Sequence, residues 1–401
     1  MDRFECLACG PVASRDPYSP FCSACGEPLF VAPPCPGRPR GCRGDRALAL
    51  ERWADFLPLE RIDARLSLGE GSTPLVRLER LGASLGRARL FAKNEAQNPT
   101  GSFKDRGTAV AVQKAVALGA RMIGTVSTGN MAASTAAYGA RAGLPTFVLL
   151  KEGTSTLSLR AAGIHGPRLV AVEGDYGRLF RMSVEVGKRL GIMFMNSIDP
   201  YRLEGYKVTA FEIFLQLGGR APRAVFVPLS SGGHLLGLMR GFADLESAGL
   251  ASSFPAVVGV QAAGCAPLAA AFGRGLDRCE PPARARTIAH AIANPDPPAG
   301  SAVLRTVRDR RGLIVAVADE EMLEAQRELA AAEGLFCQPE AAATLAALKT
   351  LAAAGWPEGD GDDVLVLTGS GLKAPAALDS APMTINVLAV GELEAGLARL
   401  V

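Results

Sequence analysis

Short apolar stretches rich in β-branched residues alternate along most of the chain with longer Ala-rich stretches. A short apolar run bounded by turn residues predicts a buried strand, and a longer amphipathic run predicts a helix. We predict strands at residues 89–92, 122–126, 146–150, 168–172, 224–227, 257–260 and 364–367. We predict helices at residues 131–142 and 320–333. This alternation predicts crossover units, mostly parallel sheets and an α/β fold.

The first 45 residues depart from this pattern, because they contain two Cys-x-x-Cys pairs, each followed by a glycine. The four cysteines are Cys6, Cys9, Cys22 and Cys25. Two such pairs across a short loop can supply four thiolates to a tetrahedral zinc, so they predict a zinc ribbon with a closed, structural site. A ribbon without metal is the alternative. Cys35 and Cys42 lie in a Pro/Gly/Arg-rich segment and are either alternative ligands or linker thiols.

Length and composition indicate an enzyme-sized globular protein. The 401 residues are 48% hydrophobic and include 45 glycines, which predicts two or three domains and a large α/β core. A net charge of +3 gives no electrostatic footprint for nucleic acid or membrane, and this argues against a nucleic-acid-binding ribbon, the competing class of function. We see no secretion signal or membrane-spanning stretch, so we expect a cytoplasmic location and nine cysteines that serve as thiols or metal ligands.

Residues 98–107 read Asn-Pro-Thr-Gly-Ser-Phe-Lys-Asp-Arg-Gly, and they contain one of only eight lysines. Lys104 follows a Pro/Gly/Ser turn and starts an Ala/Val-rich stretch, so we predict that it lies at a helix N-terminus. The partial positive charge there disfavours the ammonium form and makes a neutral, nucleophilic amine easier to reach. Such an amine suits a Schiff base. The alternative interpretation is a surface lysine at a helix start.

Three glycine-containing loops follow predicted strands, at residues 126–130, 227–234 and 365–373. Parallel α/β sheets bind ligands at the carboxyl ends of their strands, where these loops lie. Free amides at a helix start attract an anion, and paired glycines let the backbone approach a phosphate. Taken singly, each loop is also compatible with an ordinary helix cap or turn.

Together with Gly69-Glu70-Gly71, these motifs resemble the threonine synthase family of fold-type II pyridoxal-phosphate enzymes over nearly the whole chain. The resemblance implies a tryptophan synthase β-like fold of two mostly parallel α/β domains after a zinc-ribbon-like segment, which some members carry. The implied division is residues 1–45 for the ribbon, 46–106 and 196–401 for the large domain, and 107–195 for the small domain. A monomer or a homodimer is expected.

The resemblance also implies roles for individual residues. Lys104 would hold pyridoxal 5'-phosphate as a Schiff base and move protons. The other cofactor-binding residues would be Phe103, Asn130, Ser230, Ser231, Gly232, Gly233, His234 and Thr368. The substrate-binding residues would be Ser127, Thr128, Asn130, Met131, Asn196, Ser197 and Arg202. Thr368 would face the pyridine nitrogen without keeping it protonated, which suits elimination and replacement. Arg202 would bind substrate phosphate or pair with Glu204.

The implied reaction converts O-phosphohomoserine and water to threonine and phosphate, with lysine as the acid and base. Several pocket positions depart from the family's pattern: Met131, Ser231, His234, Ser370 and Ala374. Because a site with different hydrogen-bonding groups can reject its relative's substrate, two further activities stay open. One is β-replacement on O-phosphoserine, as in cysteate-synthase-like paralogues, and the other is serine or threonine dehydration.

Overall fold

A computed structural model describes residues 2–13, 15–32, 41–44, 46, 48–127, 129–152, 156–174, 176–356, 358–374, 390 and 398. The strands are β1 Phe4–Cys6, β2 Gly10–Val12, β3 Leu29–Val31, β4 Leu75–Arg77, β5 Leu90–Asn94, β6 Ile123–Val126, β7 Thr146–Lys151, β8 Arg168–Val172, β9 Met193–Phe194, β10 Ala224–Pro228, β11 Ala256–Ala262, β12 Leu313–Val317 and β13 Asp363–Leu367. The helices are α1 Ala49–Arg52, α2 Glu79–Ser84, α3 Lys104–Ala117, α4 Asn130–Ala142, α5 Thr156–Gly163, α6 Tyr176–Leu190, α7 Pro200–Gln216, α8 Gly233–Ser247, α9 Pro267–Gly273, α10 Gly300–Asp309, α11 Asp319–Glu333 and α12 Pro339–Ala353.

The larger sheet has six strands in the order β12-β11-β10-β13-β5-β4. All neighbours are parallel except the edge pair of β4 and β5. Its central strands are buried on both faces, as the continuous apolar runs at residues 224–228 and 363–367 require. The predicted strands at residues 89–92, 224–227, 257–260 and 364–367 are confirmed, with ends shifted by one or two residues.

The smaller sheet has four parallel strands in the order β8-β7-β6-β9. It confirms the three strands predicted between residues 122 and 172, and the predicted helix at residues 131–142 is α4. The six-stranded sheet takes its strands from residues 75–94 and 224–367, and the four-stranded sheet from residues 123–194. The exact domain boundaries stay a prediction.

The ribbon segment forms a three-stranded antiparallel sheet in the order β2-β1-β3. Each strand has only three residues, and the buried apolar cluster under them consists of Cys6, Cys22 and Leu29. So small a core depends on a cross-link, a metal or packing against the rest of the chain, and Phe30 and Val31 of β3 supply such packing because they belong to the main core. Cys35 lies outside the described residues.

Helices α3 and α7 cross closely below the turn that carries Lys104. A Cβ on Gly205 would lie 2.1 Å from the Arg106 carbonyl oxygen, and a Cβ on Gly107 would lie 2.6 Å from the Tyr206 ring. Only glycine therefore permits this approach. Within the described part of the chain, no helix is both long and apolar enough to cross a membrane.

Candidate active site

Lys104 is the first residue of α3, which confirms the predicted helix start. Its Nζ lies 4.3 Å from the centroid of the Phe103 ring. Burial, and then the positive charge of Arg202, lower the pKa of Lys104 to about 7. About half of the amines are therefore neutral and nucleophilic at neutral pH.

The backbone brings the last glycine loop against this lysine. The Phe103 N–H donates to the Thr368 carbonyl oxygen at 3.0 Å, and Ser102 pairs with Gly369 in an isolated bridge. Thr368 is largely buried, and its hydroxyl makes no hydrogen bond to any described residue. A side chain with a free hydroxyl thus lies next to the lysine turn.

Asn130, the first residue of α4, joins the same cluster through Gln338. Its Nδ2 donates to Gln338 Oε1 at 2.7 Å, and the Gln338 N–H donates to the Gly369 carbonyl oxygen at 2.9 Å. A Cβ on Gly369 would lie 2.2 Å from Gln338 Oε1, so any side chain at this position would displace the Gln338 amide. Sequence reasoning did not identify Gln338, because a lone glutamine before a helix carries no distinctive signal.

The loop at residues 230–234 runs from β10 into α8. Gly232 has a φ of 96°, and a Cβ on Gly233 would lie 2.4 Å from the Ser197 carbonyl oxygen. Among the described residues, no acceptor pairs with the amides of residues 231–235, which all stand in or just before the first turn of α8. Ser231 Oγ accepts a hydrogen bond from Asn294 at 2.9 Å. This backbone is a ready anion site.

His234 stacks on Phe103, with ring centroids 3.9 Å apart. Burial, and then the charges of Lys104 and Arg106, lower the pKa of His234 well below its ordinary value, so the imidazole is neutral. Its Nδ1 and Nε2 are both buried without a hydrogen-bond partner in the described structure. Such groups are rare in folded proteins, so His234 is a candidate partner for a polar ligand.

Arg202 and Asn196 lie beside this cluster, but protein atoms already use their polar groups. The Arg202 guanidinium is fully buried and donates to the Met195 carbonyl oxygen, Thr108 and Thr135, each at 2.7 Å. The alternative pair with Glu204 does not form, since that carboxylate pairs with Lys207 at 2.6 Å.

Asn196 fixes the end of β6, because its Oδ1 accepts from the Val126 N–H at 2.8 Å. Ser127 accepts weakly from the Gly129 N–H at 3.4 Å, and Met131 and Ser197 are buried. The structure thus gathers these residues around the first loop. Thr128 lies outside the described residues.

A buried charge network supports the lysine turn, and sequence reasoning missed it. The Arg106 guanidinium donates to both oxygens of Glu95 and of Glu212 at 2.6 to 2.9 Å. Lys93 pairs with Glu212 at 2.7 Å, and all four side chains are at most 3% exposed. The two acids and two bases balance in charge, which such burial requires.

The four predicted metal ligands come together. The Sγ atoms of Cys6, Cys9, Cys22 and Cys25 all lie within 4.8 Å of one another. Tetrahedral Zn–S bonds of about 2.3 Å place sulfurs about 3.8 Å apart, so little movement is needed to hold a metal. The N–H groups of Ala24 and Cys25 lower the pKa of Cys22 to about 7, which favours the thiolate. Cys42 is exposed and stays outside this cluster.

Comparisons with known proteins agree with this geometry. The family described as "Pyridoxal-phosphate dependent enzyme" matches residues 66–369. A threonine synthase of Methanocaldococcus jannaschii is 39% identical over 333 residues, which cover 83% of this chain and 82% of the relative. A threonine synthase of Methanosarcina acetivorans is 34% identical over 390 residues, which cover 94% and 93%.

Solved structures share the fold. The processed form of threonine deaminase isoform 2 from Solanum lycopersicum matches with a TM-score of 0.64 at 19% identity, covering 78% of this chain and 88% of that one. An O-ureido-L-serine synthase matches with a TM-score of 0.65 at 22% identity, covering 82% and 96%. The expected fold-type II architecture is confirmed.

Proposed function

Since this chain belongs to the pyridoxal-phosphate-dependent enzymes and, within them, to the threonine synthase family, we propose that it converts O-phosphohomoserine and water to threonine and phosphate. The observation that carries the chemistry is the Lys104 amine, whose pKa is near 7 at the meeting point of three glycine loops. The substrate assignment rests on the relatives named threonine synthase.

The residues of this site fit pyridoxal 5'-phosphate. The free amides after Ser230, with Ser231, Gly232 and Gly233, would hold its phosphate, and the Thr368 hydroxyl would face its ring nitrogen. Asn130 would contact its phenolic oxygen. The unpartnered nitrogens of His234 would pair with polar atoms of the cofactor or the substrate. When bound, the cofactor withdraws electrons from the substrate's Cα and Cβ.

Lys104 would then supply the acid and base. A neutral amine takes the proton from Cα, and the ammonium returns protons where the product needs them. Its pKa near 7 lets it do both at neutral pH. Phe103 and His234 form a stacked, buried wall beside the amine that excludes water from this side. Loss of a second proton, from Cβ, lets the Cγ–O bond break so that phosphate leaves with the bonding electrons. Cγ and Cα then gain protons, and water gives its oxygen to Cβ and a proton to the amine.

The substrate's ends would be held by two sets of residues. Ser127, Thr128, Asn130 and Met131 would surround its carboxylate at the start of α4. The substrate phosphate would lie near Asn196, Ser197 and Arg202. Because the Arg202 guanidinium already donates to three protein oxygens, we assign it a field effect on the phosphate and on Lys104 in addition to any direct contact.

We propose that Cys6, Cys9, Cys22 and Cys25 hold zinc in a structural role, since a closed set of four thiolates leaves no open position. Elemental analysis of the purified protein should find about one zinc per chain. Replacing Cys9 and Cys25, the exposed pair, with serine should abolish binding. Zinc retained by that double variant would contradict the site.

A substrate comparison tests the proposed reaction. Purified protein is offered O-phosphohomoserine, O-phosphoserine with sulfite, or threonine, and the release of phosphate and of keto acid is followed. We expect threonine and phosphate from the first compound only. Turnover of O-phosphoserine with sulfite, without turnover of O-phosphohomoserine, would establish β-replacement instead.

A lysine variant tests the chemistry independently of the substrate. Lys104→Ala should lose the visible absorbance band of bound cofactor and reduce phosphate release by roughly 10³-fold or more. Lys349→Ala is the matched control, because that lysine pairs with surface acids on α11 and should leave both readouts unchanged. A Lys104→Ala protein with an intact band would refute the assignment.

A further inference from the structure

The ribbon segment docks on the start of α7 and on the last turn of α3, the helix that begins with Lys104. Arg15 Nη2 lies 3.6 Å from Asp199 Oδ2, and these side chains are only 5% and 7% exposed. Asp2 accepts a hydrogen bond from the Tyr201 hydroxyl at 2.9 Å and pairs with Lys114 Nζ at 2.7 Å. Tyr201 belongs to α7 and Lys114 to α3. The ribbon therefore clamps α3 to α7.

Asp199 connects this clamp to the chemistry. It is the N-cap of α7, and its side chain accepts from the backbone N–H groups of Tyr201 and Arg202 at 3.0 and 3.3 Å. Arg202, in the first turn of α7, is the charged group that lowers the pKa of Lys104 after burial itself. The contacts thus run from Arg15 through Asp199 to Arg202, whose Nη1 donates to Thr108 Oγ1 at 2.7 Å, and that hydroxyl donates to the Lys104 carbonyl oxygen at 2.9 Å.

The ionised form of Asp199 is stabilised by the positive charge of Arg15 in the ribbon. Burial raises the pKa of this carboxyl, whereas Arg15 and Arg202 act to lower it. If the Arg15 side chain is removed, the buried Asp199 carboxylate loses one of its two positive neighbours. Asp199 must then take up a proton, or the first turn of α7 must move. Either response changes the electrostatic potential that Asp199 and Arg202 together produce at the Lys104 amine.

Arg15 is held in turn by the fold of the ribbon. It lies in the loop between the two cysteine pairs, and its Nε donates to the Ser19 carbonyl oxygen at 3.0 Å. Its guanidinium lies 4.8 Å from the Phe4 ring centroid and 5.1 Å from that of Tyr201. Cys6 and Cys22 make up most of the ribbon's own small core and flank this loop, so a metal bound by the four cysteines would hold the two ends of the loop together.

We propose that Arg15 is a positioning residue of the active site, and that metal held by the four cysteines orders it against Asp199 so that α7 presents Arg202 to Lys104. This inference rests on the proposed lysine chemistry and metal site, but on no particular substrate. It gives the ribbon a role in tuning catalysis as well as in folding.

The test compares Arg15→Gln with Arg15→Lys and with Arg305→Gln in the full-length protein. Arg305 also touches the ribbon, donating to the Leu7 carbonyl oxygen at 2.8 Å, but at an exposed site away from α7. Three readouts are zinc content, amide hydrogen exchange of residues 196–206, and the pH midpoint for borohydride trapping of added pyridoxal phosphate on Lys104 in stripped protein.

We expect Arg15→Gln to retain zinc, to exchange the amides of residues 199–203 at least ~10-fold faster, and to raise the Lys104 midpoint by ~0.5 unit or more. Arg15→Lys should recover part of both shifts, and Arg305→Gln should show neither. Unchanged exchange and midpoint in Arg15→Gln would overturn the proposal, and so would equal shifts in Arg305→Gln.

Two further measurements cover the case in which Arg15→Gln loses its zinc. Asp199→Asn keeps a capping oxygen but removes the charge that pairs with Arg15, so it should reproduce the faster exchange, and the double variant should exchange little faster than either single one. Chelating zinc from the parent protein should also accelerate exchange at residues 199–203. Additive shifts, or no effect of chelation, would refute the coupling. None of these readouts uses O-phosphohomoserine, so a wrong substrate would appear only in the turnover assays.

Discussion

The amine of Lys104 is reactive near neutral pH because of where the fold places it. The sequence motif located this lysine and its helix start correctly, and it suggested the helix terminus as the cause of a lowered pKa. The structure identifies burial as the larger cause, followed by Arg202. Neither could be predicted from the motif, since Arg202 lies 98 positions away in the chain.

The pH dependence of cofactor capture follows from this pKa. Only the neutral amine attacks an aldehyde, so the rate at which stripped protein recaptures pyridoxal phosphate should rise about tenfold per unit up to pH 7 and then level off. Stopped-flow absorbance checks this, with a blocked free lysine, whose pKa is about 10.4, as the control. A plateau that begins only above pH 9 would contradict the lowered pKa.

The same shift makes the stripped protein's stability depend on pH. The unfolded lysine titrates near 10.5 and the folded one near 7, so between these values the unfolded chain binds more protons and stability rises with pH. Lys104→Met should therefore unfold at higher urea concentration than the parent at pH 7, with the difference shrinking toward pH 10. A constant difference across this window would argue against the shift.

We expect His234 to lower the stability of the protein without cofactor and to contribute to ligand binding when the site is occupied. His234→Phe keeps a ring against Phe103 but removes two unpartnered nitrogens, so thermal stability of the stripped protein should be unchanged or higher. The value of kcat/KM should fall at least ~10-fold. His290→Phe, at an exposed position, is the control for both measurements. A stable His234→Phe with full activity would show that the nitrogens contact no ligand.

At the scale of elements, the hydrophobic pattern located seven of the ten strands described in the two larger sheets and missed three. It missed β12, which has an exposed position near its end, and β4 and β9, which have three and two residues. Such elements exist because a neighbouring strand pairs with them, and pairing is not visible in local sequence. The loops after β6, β10 and β13 were located because those strands were predicted correctly.

In the loop from β10 to α8, position 233 should tolerate no side chain. Gly233→Ala would place a Cβ against the Ser197 carbonyl, so we expect weaker cofactor binding and a loss of stability of about 1–3 kcal/mol. Gly273→Ala, at the end of α9 with no atom within 4 Å of the added Cβ, is the matched control. Cofactor titration and urea unfolding measure the two effects. Parent-like cofactor affinity in Gly233→Ala would show that this loop does not hold the phosphate.

For the whole molecule, the buried network around Arg106 ties distant parts of the chain together. Glu212→Gln should destabilise the protein by about 3–5 kcal/mol in urea unfolding, because Arg106 and Lys93 would lose a buried counter-charge. Glu246→Gln, in a surface pair with Arg310, should cost less than about 1 kcal/mol. Equal losses of stability in the two variants would show that the network contributes no more to stability than a surface ion pair.

The pH dependence of this network has the same sign as that of Lys104 but lies in the acid range. Burial raises the pKa of Glu212, but Arg106 and Lys93 more than offset it and hold this pKa well below its ordinary 4.5. Its contribution is therefore complete above about pH 4.5 and is lost as the pH falls. The difference between parent and Glu212→Gln should narrow under acid conditions.

The place of β13 in the larger sheet has a consequence for biosynthesis. This strand, made from residues 363–367, lies between β10 and β5, and Thr368 follows it directly. While a ribosome is still translating, both neighbours present bare edges to other nascent chains, a recognised hazard for aggregation. The sheet is closed and the candidate active site is completed by nearly the same few residues, so we expect a polypeptide released before residue 363 to be inactive and prone to aggregation.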